Sequence, residues 1–145
     1  MRGFKVAKGF ENSNITLPKR QTKNAAGYDF YVASDIIIKA HSVALIPTGV
    51  KAYMERDEVL NIYIRSSIPL KRGLTLANNV GVIDSDYYEN PSNDGHIMIQ
   101  VLNFSDEDIL IKKDERIAQG VFMKYLLTDN DDAKSDRIGG FGSTK

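Results

Sequence analysis

The sequence contains no cysteine and no excess of charge of either sign. Without cysteine the protein can form neither disulfide bonds nor cysteine-ligated zinc sites, and thiolate catalysis is excluded. Lysine plus arginine and aspartate plus glutamate each total 19, so the formal net charge at pH 7 is zero. Broad electrostatic binding of nucleic acid needs a basic excess and is therefore not expected. The two histidines, His41 and His96, are too few and too far apart in sequence to suggest a metal site.

Long apolar runs are also lacking. No run approaches the roughly 20 residues that span a bilayer, so no membrane partner is expected. Residues 1–5 lack the apolar region of a signal peptide. We therefore expect an intracellular, cytoplasmic protein. The length of 145 residues predicts one domain with enough chain to bury a core.

What the chain does contain is a series of short apolar or alternating segments separated by turn residues. The pattern predicts strands at residues 4–7, 14–17, 27–32, 36–38, 43–46, 50–54, 60–64, 74–76, 80–83, 96–103, 109–111 and 116–125. The only candidate helix is short, at residues 66–70, and residues 74–103 are expected to form an extended hairpin. Many short strands favour an all-β fold, a distorted jelly-roll or β-barrel. The predicted organisation is a β-barrel catalytic domain at 1–127, a flexible linker at 128–136 and a C-terminal phosphate-binding arm at 137–145.

The segment from Gly81 to Tyr87, Gly-Val-Ile-Asp-Ser-Asp-Tyr, joins an apolar strand to an acidic turn. Strand interiors are poor in aspartate, so Asp84 and Asp86 mark the point where the strand gives way. Carboxylates at such a point can meet a ligand while the strand behind them holds them rigid. An ordinary turn is the alternative interpretation, and for two carboxylates alone it is the favoured one.

Residues 137–145, Arg-Ile-Gly-Gly-Phe-Gly-Ser-Thr-Lys, have the composition of a phosphate-binding loop. Glycines let backbone N–H groups close around an anion, Ser143 and Thr144 add hydroxyl donors, and Arg137 adds a fixed charge. The segment is not a Walker A loop, in which the Lys precedes the Ser or Thr. A solvated glycine-rich tail is the alternative. Phe141 argues against it, because an aromatic ring has no reason to lie in a solvated tail unless it docks.

Three weaker candidates lie elsewhere in the chain. The tripeptide Arg65-Ser66-Ser67 offers one guanidinium and two hydroxyls at the end of an alternating strand. Arg116 and Gln119 lie in a predicted strand, and Asp29 is a lone carboxylate at the start of another. Each is more often structural when taken alone. Together with the acidic turn and the arm, they favour a nucleotide polyphosphate with Mg²⁺, which is usually held through substrate phosphates and one or two carboxylates. The favoured chemistry is attack by water activated by a carboxylate.

The order of these elements resembles the five motifs of the homotrimeric dUTPases, the deoxyuridine triphosphate nucleotidohydrolases. The matching segments are Ala-Gly-Tyr-Asp-Phe at 26–30, Arg-Ser-Ser at 65–67, residues 78–87, Glu-Arg-Ile-Ala-Gln at 115–119, and residues 137–144. The third and fifth are the specific ones. A long loop after the third motif is similar to the Gram-positive bacterial and phage branch.

The resemblance implies a jelly-roll-like subunit in a homotrimer whose three active sites are shared between subunits. It implies hydrolysis of dUTP to dUMP and pyrophosphate with Mg²⁺, which limits uracil in DNA and supplies dUMP for dTMP synthesis. Asp84 would match the carboxylate that deprotonates the attacking water, and Tyr87 the ring that packs on the deoxyribose. Asp29 would help hold the water shell of the metal. The uracil-reading hairpin would comprise Asn78, Gly81, Val82, Ile83, Ile97 and Met98. Substrate contacts would come from Arg65, Ser66, Ser67, Gln119, Arg137, Phe141, Gly142, Ser143 and Thr144, with Phe141 stacking over uracil.

The sequence departs from the family pattern at several positions. Phe30 stands where Leu is usual, Asp114 where Gly is usual, and Lys145 where another Gly is usual. The loop at residues 88–95 is longer than the turn common in the family and is expected to lengthen the hairpin tip without touching Asp84.

Two alternatives stay open at the level of sequence. One is a dCTP deaminase of the same fold, or a bifunctional deaminase and dUTPase, which shares the Arg-Ser-Ser motif. The other is a regulatory phage-type dUTPase that binds a protein partner. Intact Asp84, Tyr87 and arm residues argue against a loss of activity, although not against a second role.

Overall fold

The structure, a computed structural model, describes residues 1–142. Within that range it consists of eleven β-strands, one short α-helix and one turn of 3₁₀-helix. The strands are β1 Gly3–Val6, β2 Tyr28–Tyr31, β3 Ile36–Ile38, β4 Val43–Pro47, β5 Val50–Tyr53, β6 Glu58–Ile64, β7 Leu74–Leu76, β8 Gly81–Asp84, β9 Met98–Asn103, β10 Ile109–Ile111 and β11 Arg116–Lys124. The helix α1 is Ser67–Arg72, and the 3₁₀ turn is Ser85–Tyr87. The predicted all-β fold is confirmed.

The strands form four antiparallel sheets around one core. The largest has the order β2-β11-β6-β8, a second has the order β4-β9-β7, and β1–β5 and β3–β10 form pairs. Side chains alternate between core and surface, as a period of two requires. In β6, for example, Leu60 and Ile62 are buried while Asn61 and Tyr63 are partly exposed. The fully buried side chains of the core include Phe30, Ile38, Ile46, Leu60, Leu74, Ile97, Ile99 and Ile111.

The helix α1 lies near the predicted place and fixes the Arg-Ser-Ser tripeptide at the end of β6. Pro69 is tolerated because it lies in the first turn, where its missing N–H has no partner to lose. The helix ends at Gly73, whose φ of 67° is left-handed and whose N–H donates to the carbonyl of Pro69.

One sequence prediction about strands is wrong, and another holds only in part. Residues 14–17 form no strand. Asn14 takes a left-handed φ of 54°, and the following Pro18 has no N–H to donate to a ladder. The extended hairpin predicted at residues 74–103 is formed at its base, where β7 pairs with β9 and Leu74 lies opposite Asn103, whereas β8 pairs with β6 instead of continuing the hairpin.

No helix in the described range is long and apolar enough to cross a membrane.

Candidate active site

A pocket of about 170 Å³ opens between β8, β9 and the C-terminal arm. Apolar side chains of Ile62, Leu76 and Ile99 line its inner part. The predicted site residues that line it are Asn78, Gly81, Val82, Ile83, Asp84, Tyr87, Met98, Arg137 and Phe141. The pocket therefore unites the third and fifth motifs within one chain.

Two strand edges are available in this pocket for hydrogen bonding. β8 is the last strand of its sheet and pairs only with β6 in the described range. β9 pairs with β7 through Val101, and one further hydrogen bond joins the N–H of Ala77 to the carbonyl of Gln100. On the N-terminal side of Gln100, the edge of β9 that faces β7 has no strand partner at Met98 among the described residues. A planar polar group bound between these edges can be read by backbone N–H and C=O groups held rigidly by their sheets.

Gly81 keeps the pocket open at its inner end. A Cβ built on this residue would lie 3.2 Å from Cβ of Ile62 and 3.9 Å from the side-chain nitrogen of Asn78. The first distance is tighter than an ordinary carbon contact, so a side chain here would narrow the slot. The sequence therefore places glycine where the close approach requires it.

Asp84 and Asp86 both bind the guanidinium of Arg137. Nη2 of Arg137 donates to Oδ2 of Asp84 at 2.5 Å, and Nε donates to Oδ1 of Asp86 at 2.7 Å. The hydrogen bond with Asp86, together with the charges of both carboxylates, raises the pKa of Arg137 above its usual range. Arg137 also donates to the carbonyl of Gly139 at 3.1 Å, so the arm is bent back towards the pocket.

The ring of Tyr87 forms a fixed wall next to these carboxylates. The side chain is 6% exposed, and its hydroxyl donates to the carbonyl of His96 at 2.7 Å. Burial raises the pKa of the Tyr87 phenol, which stays protonated at neutral pH. Gly140 of the arm packs on the ring, since a Cβ built there would lie 2.7 Å from Cε1 of Tyr87.

A second cluster of predicted residues forms around Asp29. Its Oδ2 accepts from Nη1 of Arg116 at 3.0 Å and lies 3.8 Å from Nε of Arg65. Arg65 also donates to the carbonyl of Arg116 at 3.1 Å. Gln119 pairs with Asp29 across β2 and β11, and its side chain fills the space over Gly27 that any Cβ would occupy. Two cations and an amide therefore converge beside one buried carboxylate.

The two clusters do not meet within one chain. In the antiparallel pair of β6 and β8, Asp84 lies opposite Val59. Arg65 lies six residues after Val59 in the direction of β6, which corresponds to about 20 Å at 3.3 Å per residue. The structure therefore brings together the third and fifth motifs in one place, and the first, second and fourth in another.

Several predicted residues lie outside both clusters. Ile97 does not line the pocket: its side chain is fully buried, its N–H donates to Val50 and its carbonyl accepts from Thr48. Gly142 is exposed at a φ of 92° and does not line the pocket either. Ser66 is exposed at the start of α1, beside the half-exposed Ser67. The predictions for Ser143 and Thr144, and that for Lys145, lie outside the described residues.

Some pocket residues were not foreseen from the sequence. Gln100 and Gly140 line the pocket, and Asp86 holds the arm. The alternation of β9 could have indicated Gln100, because it shares a face with Met98. The partner of Asp86 lies 51 residues away in the chain, and no local pattern reveals such a contact.

The donor groups fit a magnesium ion that is held mainly by its nucleotide. No group of three metal-ligating side chains exists in the described part of the chain. Asp29 accepts a hydrogen bond from Arg116 and lies 3.8 Å from Arg65, so these cations already partly neutralise its charge and make it a poor direct ligand for a metal ion. Mg²⁺ usually keeps several waters and is bound through substrate phosphates with one or two carboxylates.

The structure also explains two departures from the family pattern. Asp114 has a φ of 68°, in the left-handed region where glycine is the usual residue. Aspartate is among the few side chains that tolerate this region, and its Oδ1 accepts from the Thr16 hydroxyl at 3.1 Å. Phe30 is fully buried and packs edge-on against Phe4 with ring centroids 5.6 Å apart.

Comparison with known proteins gives one consistent result. The family model described as dUTPase matches residues 13–145. The deoxyuridine 5'-triphosphate nucleotidohydrolase of Lactococcus lactis is 51% identical over 146 residues, covering 99% of this chain and 97% of the relative. The crystal structure of a dUTPase from Streptococcus mutans is 51% identical with a TM-score of 0.84, over 88% of this chain and 99% of that one. A dUTPase from phage phi11 of S. aureus, described with a structural Mg(II) ion, shares the fold at 17% identity and a TM-score of 0.74, over 93% and 97%.

Proposed function

The chain belongs to the dUTPase family, and from that premise we propose how its two clusters carry out the hydrolysis of dUTP to dUMP and pyrophosphate. The activity is that of a dUTP diphosphatase. The observation that carries the residue assignment is the position of Asp84, a half-exposed carboxylate at the end of β8, at the rim of a slot lined by two unpaired strand edges.

Uracil binds between the free edges of β8 and β9. Backbone groups from Gly81 to Ile83 and at Met98, with the amide of Asn78, present a fixed set of donors and acceptors. Cytosine reverses the hydrogen-bonding character at its 4-position, so its binding would leave buried polar groups unpaired. A site that reads a base through such groups can reject the wrong one by orders of magnitude.

Deoxyribose packs against the ring of Tyr87, whose position leaves no room for a 2′-hydroxyl. Phe141 of the arm, at the mouth of the pocket, stacks over the base. The arm thereby limits the access of water to the reacting groups. Residues 137–145 are its functional unit, and residues 128–136 connect it to the body.

Asp84 acts as the general base. It accepts a proton from a water molecule, whose oxygen bonds to the α-phosphorus of dUTP. The bond between that phosphorus and the oxygen bridging to the β-phosphorus breaks, and pyrophosphate leaves with that oxygen. Arg65, Gln119 and Arg137 bind phosphate oxygens and stabilise the charge that develops on them. Magnesium, when bound with the nucleotide, adds neutralising charge to the same oxygens.

The site is completed by more than one copy of the chain. About 20 Å along β6 separates Arg65 from the level of Asp84, so the cations of the Asp29 cluster do not lie beside the proposed base of the same chain. Cyclic symmetry places the Asp29 cluster of one copy beside the pocket of the next. A homotrimer has three such junctions and therefore three sites. We infer a cytoplasmic location, since dUTP is a precursor of DNA.

Product analysis tests this function. Purified protein with Mg²⁺ should release pyrophosphate from dUTP, and much more slowly from dCTP, dTTP and UTP. Ammonia release from dCTP would show a deaminase instead. Light scattering should give three times the chain mass of 16.2 kDa, and a monomer with full activity would contradict the shared site.

A further inference from the structure

The loop at residues 88–95 is organised around two asparagines. Asn90 is 4% exposed, and its Nδ2 donates to the carbonyl of Tyr87 and to Oδ1 of Asn93, both at 2.8 Å. Oδ1 of Asn90 accepts from the backbone N–H groups of Ser92 and Asn93. Oδ1 of Asn93 also accepts from the N–H of Gly95 at 3.0 Å. The loop is therefore a closed hydrogen-bond network and not a loose hairpin tip.

The loop is also tied to the body of the protein at its far end. The carboxylate of Asp94 accepts from Nζ of Lys51 and from the backbone N–H of Lys8, both at 2.8 Å. Gly95 has a φ of 82°, and a Cβ there would lie 2.8 Å from the carbonyl of Tyr87. These contacts hold the loop backbone close beneath Tyr87.

One side chain of this loop reaches the Tyr87 hydroxyl directly. Nδ2 of Asn93 donates to the phenolic oxygen at 2.8 Å, while the hydroxyl proton is donated to the carbonyl of His96 at 2.7 Å. The free end of the Tyr87 ring is thus held from two directions. Without the Asn93 donor, only the bond to His96 would hold the hydroxyl.

We propose that Asn93 is a positioning residue that fixes the Tyr87 ring and thereby sets the selection of 2′-deoxyribose over ribose. The inference rests on the role of Tyr87 in the proposed function. Selection against one added hydroxyl group requires a rigidly held ring at this position, because an apolar contact alone rejects such a group weakly. Precise placement of a site residue needs a supporting shell that locks its rotamer, and the loop supplies that shell from outside the pocket.

Asn93→Asp separates this contact from the integrity of the loop. An aspartate at this position keeps an oxygen to accept from Asn90 and Gly95, but it offers no donor, so the single hydroxyl proton of Tyr87 can serve the carbonyl of His96 or the new carboxylate but not both. Tyr87→Phe removes the phenolic oxygen and leaves the ring. The experiment measures the ratio of kcat/KM for dUTP to that for UTP in the unaltered protein, both single variants and the double variant.

The ratio should fall about tenfold in Asn93→Asp and by a similar factor in Tyr87→Phe, since contacting residues couple strongly. The double variant should fall no further than Tyr87→Phe alone. The inference is overturned if Asn93→Asp keeps the ratio, or if it lowers the ratio equally with and without the Tyr87 hydroxyl.

A spectroscopic readout separates this inference from the proposed function. Loss of the Asn93 donor should raise the pKa of the Tyr87 phenol, which can be followed by NMR in protein with ¹³C-labelled tyrosine. An unchanged Tyr87 titration would overturn the bracing contact. If the unaltered protein released no pyrophosphate from dUTP, the proposed function and the sugar selection would both fail, whereas the titration would still decide whether Asn93 holds the ring.

Discussion

Arg137 donates a hydrogen bond of 2.5 Å to Asp84, although 53 residues separate the two in sequence. The proposed base and the arm cation proposed for the phosphates are thus paired in this structure. The contact places the arm over the pocket. It also holds a cation next to the pocket, and nucleotide phosphates can bind this cation in place of Asp84. Charge-assisted bonds of this kind are about twice as strong as neutral ones, so the pair matters to both binding and turnover.

Asp84→Asn should lower kcat for dUTP by at least about a hundredfold, because a carboxamide cannot take the proton from water. Asp86→Asn is the matched control: it removes the other acceptor of Arg137 but leaves the proposed base. Its kcat should stay within about tenfold of the unaltered value. Initial rates of pyrophosphate release measure both, and calorimetry with a non-hydrolysable dUTP analogue should show that Asp84→Asn still binds. Equal losses of kcat in the two variants would mean that the carboxylates act only through the arm.

Deletion of residues 137–145 should reduce kcat/KM for dUTP by at least about a hundredfold, since the arm supplies a phosphate ligand and excludes water. The body of the protein keeps its core without these residues, so the thermal midpoint and the number of chains per assembly should not change. Lys134→Ala, at an exposed position before the arm, serves as the control and should be fully active. A truncated protein with normal turnover would exclude the arm from the site.

Gly140→Ala tests the docking of the arm without shortening it. The added methyl group would lie 2.7 Å from Cε1 of Tyr87, and the buried ring cannot move away to relieve the clash. We expect KM for dUTP to rise about tenfold, which corresponds to a loss of about 1.4 kcal/mol of binding. Circular dichroism and the thermal midpoint should match those of the unaltered protein. If the substitution has no kinetic effect, the arm does not approach Tyr87 during turnover.

The local sequence pattern was sufficient to predict a strand wherever the neighbouring residues alone decide the secondary structure. Apolar runs such as residues 36–38 and 109–111 could be predicted as strands, and these two pair with each other. Residues 14–17, Asn-Ile-Thr-Leu, alternate as a strand would but have no strand partner among the described residues, and Asn14 takes a left-handed conformation. Strand pairing depends on which distant segment is available, and the sequence of one segment does not reveal its partner.

The residues of the candidate site could be proposed from the sequence, but their geometry could not. The resemblance placed Asp84, Arg65 and Arg137 in one function, and their chemistry agreed with it. Only the register of β6 and β8 shows that Arg65 lies about 20 Å along β6 from the level of Asp84 within one chain. An ion pair of Asp86 could be anticipated as an alternative to a plain turn, and the structure shows one, but its partner Arg137 approaches from the arm and could not be named from the sequence. Long-range contacts of this kind are decided by the whole fold.

The stability of the protein should depend on pH through His96. Its Nε2 accepts a hydrogen bond from the N–H of Gly49 at 3.0 Å, and burial lowers the pKa of the ring. The unfolded chain therefore binds a proton at higher pH than the folded one. This contribution to the free energy of unfolding is present above the ordinary histidine pKa of about 6.5 and declines as pH falls below it towards the folded pKa.

His96→Gln isolates the contribution of histidine protonation to the free energy of unfolding, because an amide oxygen can still accept from Gly49 and does not titrate. Urea unfolding at pH 8 and pH 5 should show a smaller loss of stability on acidification in His96→Gln than in the unaltered protein. His41→Gln, at an exposed position, is the control and should retain the full loss. Carboxylates with lowered pKa values, such as Asp94, contribute to acid sensitivity in all three proteins, so only the difference between them is diagnostic. An identical pH dependence for His96→Gln would contradict the buried neutral ring.

Mixing two inactive variants tests whether the sites are shared between chains. Asp84→Asn damages the pocket and leaves the Asp29 cluster intact, whereas Arg65→Ala damages that cluster and leaves the pocket intact. In a cyclic trimer built from both, one junction joins an intact pocket to an intact cluster, whichever variant supplies two of the three chains. Co-expression in equal amounts gives about three quarters mixed trimers with about one working site in three, so about a quarter of normal activity should return.

Each variant unfolded and refolded alone should stay inactive. If the co-expressed mixture also stays inactive although mass analysis shows mixed trimers, Asp84 and Arg65 of the same chain serve one site, and the separation along β6 would have to be closed by a rearrangement of the subunit.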